Sequence, residues 1–546
     1  MNESANSRMD LLEISGATRR PEGLNSITAR ELRRRWRAGE EVALLDVREE
    51  GPYSLAHPFF AVSLPLSQIE LRCLDLIPRL SAPIVVYDNG EGLAQRAAAR
   101  IAAIGYSDVS LLDGGLAAYA ALGEVFRDVN VPSKSFGELV EAIRHTPSLS
   151  ADDAKALIER EADLVVLDAR RFEEYRTMSI PRGVSVPGGE LAFRAREIAP
   201  SPDTTIIVNC AGRTRSIIGT QSLINAGVPN RIFALRNGTI GWTLAGHSVE
   251  RGKTERVLQR PQATYPAALS DATAWAARVG VAVLDRETLD RFRNEADART
   301  LHLLDVRTPE EYATAHPQGF ASAPGGQLVQ ATDEWVAVRG ARLVLFDDDG
   351  IRARMAASWL VQMGWDASVV GPDVVEASDT GLPAARRPAA PNPGKAIIDV
   401  TDLAEHRDRW TVVDLSRSPA YAKGRIPGAH FILASRFADD LPRLPGDGPV
   451  LLTSHDGTEA LFALADASAA TPRDVFVLAG GTQSWIESGR ALEQDHQSWI
   501  SRPDDIYKRP YEGTNNATEA MQAYIDWELH LVAQLANDGV SNFHVV

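Results

Sequence analysis

Residues 206–219, IIVNCAGRTRSIIG, deliver a cysteine at the end of an apolar run. Ala211, Gly212, Arg213, Thr214, Arg215 and Ser216 follow it, and then apolar residues resume. This order predicts a strand, a short loop and a helix start, with Cys210 in the loop. Loop amides leading into a helix N-terminus form a concave patch of N–H donors with a positive dipole. Such a patch lowers a thiol pKa and stabilises a thiolate. Gly212 permits tight backbone curvature. Arg213 and Arg215 add positive charge for an anionic ligand. The competing reading is a buried packing thiol beside a basic turn, because free cysteine is among the most buried residue types. Cys73, the other cysteine, sits in IELRCLDLIP without such a loop and reads as packing.

The elements that must position Cys210 are written four times. ALLDVREEGPY, VVLDARRFEEY, LLDVRTPEEY and VVDLSRSPAY each end an apolar strand in Asp, at Asp46, Asp168, Asp305 and Asp414. A tyrosine follows seven residues later in every copy (Tyr53, Tyr175, Tyr312, Tyr421). A second apolar strand then ends at Asp88, Cys210, Asp347 and Ser454, which lie 42, 42, 42 and 40 residues after the respective Asp. Small-residue loops, Ala-rich helical stretches and a closing strand with a Gly-rich turn complete each copy. Strands alternating with helices at this spacing predict an α/β fold of four tandem modules, each a mainly parallel sheet with helices on both faces. Ligands of such sheets bind beyond the C-terminal strand ends, where Cys210 falls.

The expected boundaries are 1–130, 131–262, 263–392 and 393–500, with a C-terminal tail at 501–546. A helix is expected in the tail from about Asn516 to Asn537, stopped by Asp538-Gly539, with Met521, Ile525, Val532 and Leu535 as its apolar stripe packed back on a module.

Composition narrows the function classes. A net charge of −16 over 546 residues argues against nucleic acid as the main partner. No CxxC or Cys/His cluster of zinc spacing occurs, and no metal or organic cofactor is implied. The N-terminal MNESANSRMDLLEIS lacks the basic region and apolar core of a signal peptide, and no run approaches the ~18 apolar residues of a membrane span. A cytoplasmic protein without a membrane partner is expected.

Three features taken together resemble the rhodanese superfamily of sulfurtransferases. These are the Asp-x-Arg openings (Asp46/Arg48, Asp168/Arg170, Asp305/Arg307), the GRIPGAH stretch at 424–430, and the Cys-x-x-x-x-Arg-Ser loop from Cys210 to Ser216. The resemblance implies that Cys210 takes the outer sulfur of a small anionic donor such as thiosulfate. The resulting persulfide passes sulfur to a thiophilic acceptor: cyanide, a thiol or a protein. It implies the loop residues 211–216 as substrate-binding, and the charge of Arg182 in IPRGV makes it a candidate for an anion contact behind them. Asp168 and Arg170 are expected to be structural. Related phosphatases carry one loop residue more before the arginine, so the shorter loop favours sulfur. A phosphatase or arsenate reductase, and a persulfide carrier serving a partner enzyme, are the alternatives. Asp88, Asp347 and Ser454 cannot carry a persulfide, so modules one, three and four are expected to be inactive. PGGEL (187–191), repeated as PGGQL (324–328), reads as a turn, and Trp242 as core packing.

Overall fold

The computed structural model describes residues 25–160, 162–383 and 385–546. The N-terminal MNESANSRMDLLEIS, and Ala384 in the Pro/Ala-rich linker, lie outside the described residues. The Cys210 module opens with helix α1 (Val131–Arg144) and uses strands β1 (Ser148–Leu149), β2 (Leu164–Asp168), β3 (Gly183–Ser185), β4 (Thr205–Asn209) and β5 (Ile232–Leu235). Helix α2 (Thr214–Asn225) follows β4. The sheet order is β1-β5-β4-β2-β3, with every pairing parallel. The other three modules repeat this order, so the four-module α/β expectation describes the molecule. Strand β4 is buried at all five residues, as a central strand covered on both faces must be.

The repeated residues have repeated jobs. Tyr53, Tyr175, Tyr312 and Tyr421 donate their hydroxyls to the carbonyls of Ala61, Gly183, Phe320 and Ala429, each eight residues ahead, at 2.8–2.9 Å. Asp168 accepts from Arg170 Nε at 2.9 Å, and the arginine also donates to the Met178 carbonyl. Arg48–Asp46 and Arg307–Asp305 repeat both contacts, reaching the carbonyls of Ala56 and Ala315. These are strand-end clamps. Trp242 donates to the Ser248 carbonyl at 2.8 Å and is buried, in line with core packing. Cys73 is wholly buried, and burial pushes its thiol up to about 12.

Modules two and three meet face to face. The PGG stretches form the expected turns and also make this contact: a Cβ on Gly189 would lie 2.6 Å from the Gly326 amide nitrogen, and one on Gly326 2.6 Å from that of Gly189. Only glycine lets the two backbones approach so closely. Helix α3 (Arg352–Gln362) of module three packs here, with Trp359 donating to Ser222 of α2 at 2.8 Å.

The C-terminal segment binds the assembly together. Helix α4 (Thr518–Asp538) ends at Gly539, whose φ of 60° caps it. Its buried stripe is Met521, Tyr524, Ile525, Glu528, Leu531 and Leu535. Leu531 takes the place expected of Val532, which is half-buried one position around the helix. Asp538 accepts from Arg33 of module one at 2.6 Å. Beyond the helix, Phe543 packs on Phe59, Phe60 and Phe136, and the Val546 amide donates to Gln362 of α3 at 3.0 Å.

Candidate active site

Cys210 follows the last residue of β4 and is 1% exposed. Its loop is pinned from below. The Thr239 amide donates to the Cys210 carbonyl at 2.8 Å, and the Ile240 amide to that of Ala211 at 3.0 Å. These amides come from a turn through Asn237 and Gly238 with φ of 61° and 52°. A Cβ on Gly238 would lie 2.3 Å from the Cys210 carbonyl oxygen, so the turn can press on the loop only as glycine. Asn209, just before the cysteine, donates to Asp168 at 2.9 Å. Asp168 and Arg170 thus hold the strand end rather than the ligand.

The amide cradle expected from the loop is present. Hydrogen bonds from the Ser216 amide and hydroxyl, together with the Arg215 charge, pull the Cys210 thiol down. Burial outweighs them and pushes it up, which corrects the expectation of a lowered thiol pKa. The cradle is nevertheless common to all modules. The amide six residues on donates to Asp88 (Ala94, 3.0 Å), Asp347 (Ala353, 2.8 Å) and Ser454 (Ala460, 3.3 Å). The first and third loops therefore hold a built-in carboxylate where the second holds sulfur.

The two loop arginines are both paired. Arg215 makes a two-pronged contact with Glu174 at 2.7 and 2.9 Å. That partner holds the guanidinium charged, and the arginine lowers the half-buried Glu174 carboxyl to about 2 against the upward push of desolvation. Arg213 points away to Glu138 of α1 at 2.7 and 2.8 Å, to Glu141, and to Asn237 at 3.0 Å. Its geometry is that of a clamp between loop and α1, not of a free ligand contact. Arg182 departs further from expectation. With φ 63°, it donates to the carbonyls of Ile158, Ala162 and Leu164. Leu164 begins β2, so Arg182 lies at the strand end opposite Cys210 and is not an anion contact there. Thr214 is buried with a hydroxyl that has no hydrogen-bond partner.

Several residues at the site carry no signal in the cysteine loop itself. Glu174 was legible in principle: Glu311 and Arg352 of module three repeat its 41-residue offset from Arg215 and its ion pair. The ceiling comes from the tail. Tyr511, Met521, Tyr524 and Ile525 form an apolar cluster on Ala211 and Ile240. A Cβ on Gly212 would lie 3.2 Å from both Tyr524 Cε1 and Glu528 Oε2. Lys134 of α1 pairs with Asp128 at 2.5 Å and sits 5.1–5.8 Å from the rings of Tyr511, Tyr524 and Trp527. A cleft lined by Arg170, Glu174, Thr177, Met178, Tyr511 and Glu512 opens beside the Arg215–Glu174 pair.

Four segments, 28–122, 150–245, 288–371 and 399–488, match the rhodanese-like domain. A solved thiosulfate sulfurtransferase from Pseudomonas aeruginosa is 52% identical, with a TM-score of 0.93 over 96% of this chain and 100% of that one. A thiosulfate sulfurtransferase from Azotobacter vinelandii is 28% identical over 174 residues, 28% of this chain and 64% of its own. An HTH-type transcriptional regulator from Mycobacterium tuberculosis is 30% identical over 108 residues, 20% of this chain and 47% of its own. The chain thus spans 47% and 64% of the lengths of these two curated relatives.

Proposed function

From a chain that belongs to the rhodanese-like family throughout its four modules, we propose a sulfurtransferase that works through a persulfide on Cys210. The donor is a small sulfane-sulfur anion of the thiosulfate class, and the acceptor is a thiophile such as cyanide or a thiol. Cys210 attacks the donor's outer sulfur, and sulfite leaves with the electron pair of the broken S–S bond. The acceptor then attacks that sulfur and frees the thiolate. The observation that carries this reading is the Cys210 position, between the C-terminal end of β4 and the N-terminus of α2, with the Arg215 charge acting on its sulfur. Those groups stabilise a terminal persulfide as they do a thiolate. Arg215, already neutralised by Glu174, orients the loop and sets its field, while Ala211, Gly212 and Thr214 line it. Arg213 acts by holding the loop to α1. Modules one, three and four serve as scaffold.

The setting is the cytoplasm. Both cysteines are unpaired, and no helix among the described residues is long and apolar enough to cross a membrane. Incubation with thiosulfate and then cyanide, followed by intact mass, tests the proposal. The wild type is expected to gain one sulfur at Cys210 and to release thiocyanate, and Cys210→Ser to do neither. Equal uptake by both proteins would refute it. Sulfur uptake only from a protein donor would favour a persulfide carrier.

A further inference from the structure

Glu528 is the polar residue in the buried stripe of α4 that faces the sulfur loop. It is 1% exposed. One carboxyl oxygen, Oε1, accepts from the Tyr524 hydroxyl at 2.8 Å. The other, Oε2, is buried without a hydrogen-bond partner. It is this orphaned oxygen that lies over Gly212, 3.2 Å from where a Cβ would stand. A buried oxygen left unsatisfied is costly, and here it points at a loop built to receive an anion.

We propose that Glu528 is a specificity-determining residue for the sulfur donor, meeting an anion at the Cys210 loop with a carboxylic O–H. This rests on the sulfurtransferase reading above. The geometry requires the neutral form, because a carboxylate on Oε2 would repel the same anion that the cradle attracts.

The surroundings supply that form. Burial pushes the Glu528 carboxyl up to about 7. Lys134 and Arg213 pull it down, Glu138 pushes it further up, and the Tyr524 hydroxyl steadies the ionised form. Tyr511 and Tyr524 pack around it on the tail side, and Ala211 lies beneath them. Cys210 feels the carboxylate as a further upward push on its thiol.

During transfer the new bond joins Cys210 Sγ to the donor's outer sulfur, and the thiol proton leaves with sulfite as hydrogen sulfite. The bond from that sulfur to the sulfonyl sulfur breaks, and sulfite takes the electron pair. Glu528 changes no oxidation state; its O–H donates to a sulfite oxygen as charge gathers there. Below about pH 7 the residue donates, and above it the carboxylate opposes the donor.

The test uses the full chain, thiosulfate as probe, and the rate of persulfide formation in a single turnover. Between about pH 6 and about pH 8.5, the wild-type rate constant is expected to fall about tenfold relative to Glu528→Gln, the worth of one hydrogen bond to an anion. The amide donates at every pH, so the ratio of the two rates should follow one proton near pH 7. Discharge of the formed persulfide by cyanide should be alike in both proteins. Tyr524→Phe, which removes the donor to Oε1, should move the break to higher pH. It also keeps the question open to test if Glu528→Gln folds poorly. A wild-type to variant ratio constant across pH, or a break unmoved by Tyr524→Phe, would overturn this inference. Wild-type protein that takes up no sulfur would overturn the functional reading beneath it.

Discussion

The loops of Cys210 and Asp347 lie on facing modules and share a cradle, yet only one places a thiol in it. At Asp347 the carboxylate takes amide hydrogens from Gly350 at 2.9 Å and Ala353 at 2.8 Å. Burial beside Asp349 pushes it well above the usual carboxylate range. Arg352, the counterpart of Arg215, is held by Asp348, Asp349, Glu190 and Glu311. All three guanidinium nitrogens of Arg352 are engaged by carboxylates. At Cys210 the corresponding arginine has one carboxylate partner, and the cradle holds a thiol that makes weak hydrogen bonds. The loop's shape is therefore a property of the fold, and the chemistry lies in the group that fills it. Asp347 is in effect a resident carboxyl group that occupies the cradle.

That contrast can be broken at either end. The largest effect is expected from Cys210→Asp, which copies the third loop into the second. Thiocyanate formation should fall by several orders of magnitude to background while circular dichroism stays native. Residual transfer would mean that another residue carries sulfur. Next, Arg215→Ala leaves the half-buried Glu174 with only the longer Arg171 contact and should cost about 1 kcal/mol in urea unfolding, with slower persulfide formation. Wild-type stability in this variant would remove the ion pair from the account.

Gly212→Ala pushes a methyl against Tyr524 and Glu528 and should cost about 1–2 kcal/mol, read as a lowered melting temperature. A smaller effect concerns acid. The folded Glu174 carboxyl titrates at about 2, below its ordinary 4.5. Its stabilising contribution is therefore complete above pH 4.5 and is lost as pH falls toward 2. Glu174→Gln should erase that part of the acid unfolding curve; an unchanged curve would count against the pair. The smallest expected change is none at all. Asp347→Cys restores sulfur to the third loop, but its arginine stays saturated, so the chain should still gain a single sulfur. A second sulfur would show that the loop alone confers activity.

The repeat made most of the architecture legible. An Asp-to-loop spacing of 42 residues in three copies dictates the same strand order each time, and the eight-residue tyrosine bond explains why that aromatic recurs. Cys210 was legible because its counterparts are Asp and Ser. Charge in a loop was less informative. Arg182, Arg213 and Arg215 look alike in sequence, and only tertiary contacts separate a strand-end clamp, a helix clamp and a cysteine neighbour. PGGEL is a turn, as read, with the Glu190 amide on the Pro187 carbonyl at 2.7 Å, and its glycines serve close backbone approach as well. The ceiling over Gly212 was out of reach, since Tyr524 and Glu528 lie more than 300 residues away along the chain. The tail helix was visible as an amphipathic stripe, but nothing in its spacing says which module it covers.

The ceiling has a consequence for synthesis. Cys210 leaves the ribosome 318 residues before Glu528. At roughly 5–20 residues per second, the loop waits on the order of 15–60 s for its cover. In that interval modules one and two can fold while the thiol stands open to oxidants and to premature sulfur donors. A ribosome stalled in the fourth module would leave a chain with Cys210 made and Glu528 not yet added. Helix α4 thus acts as a completion mark on the site.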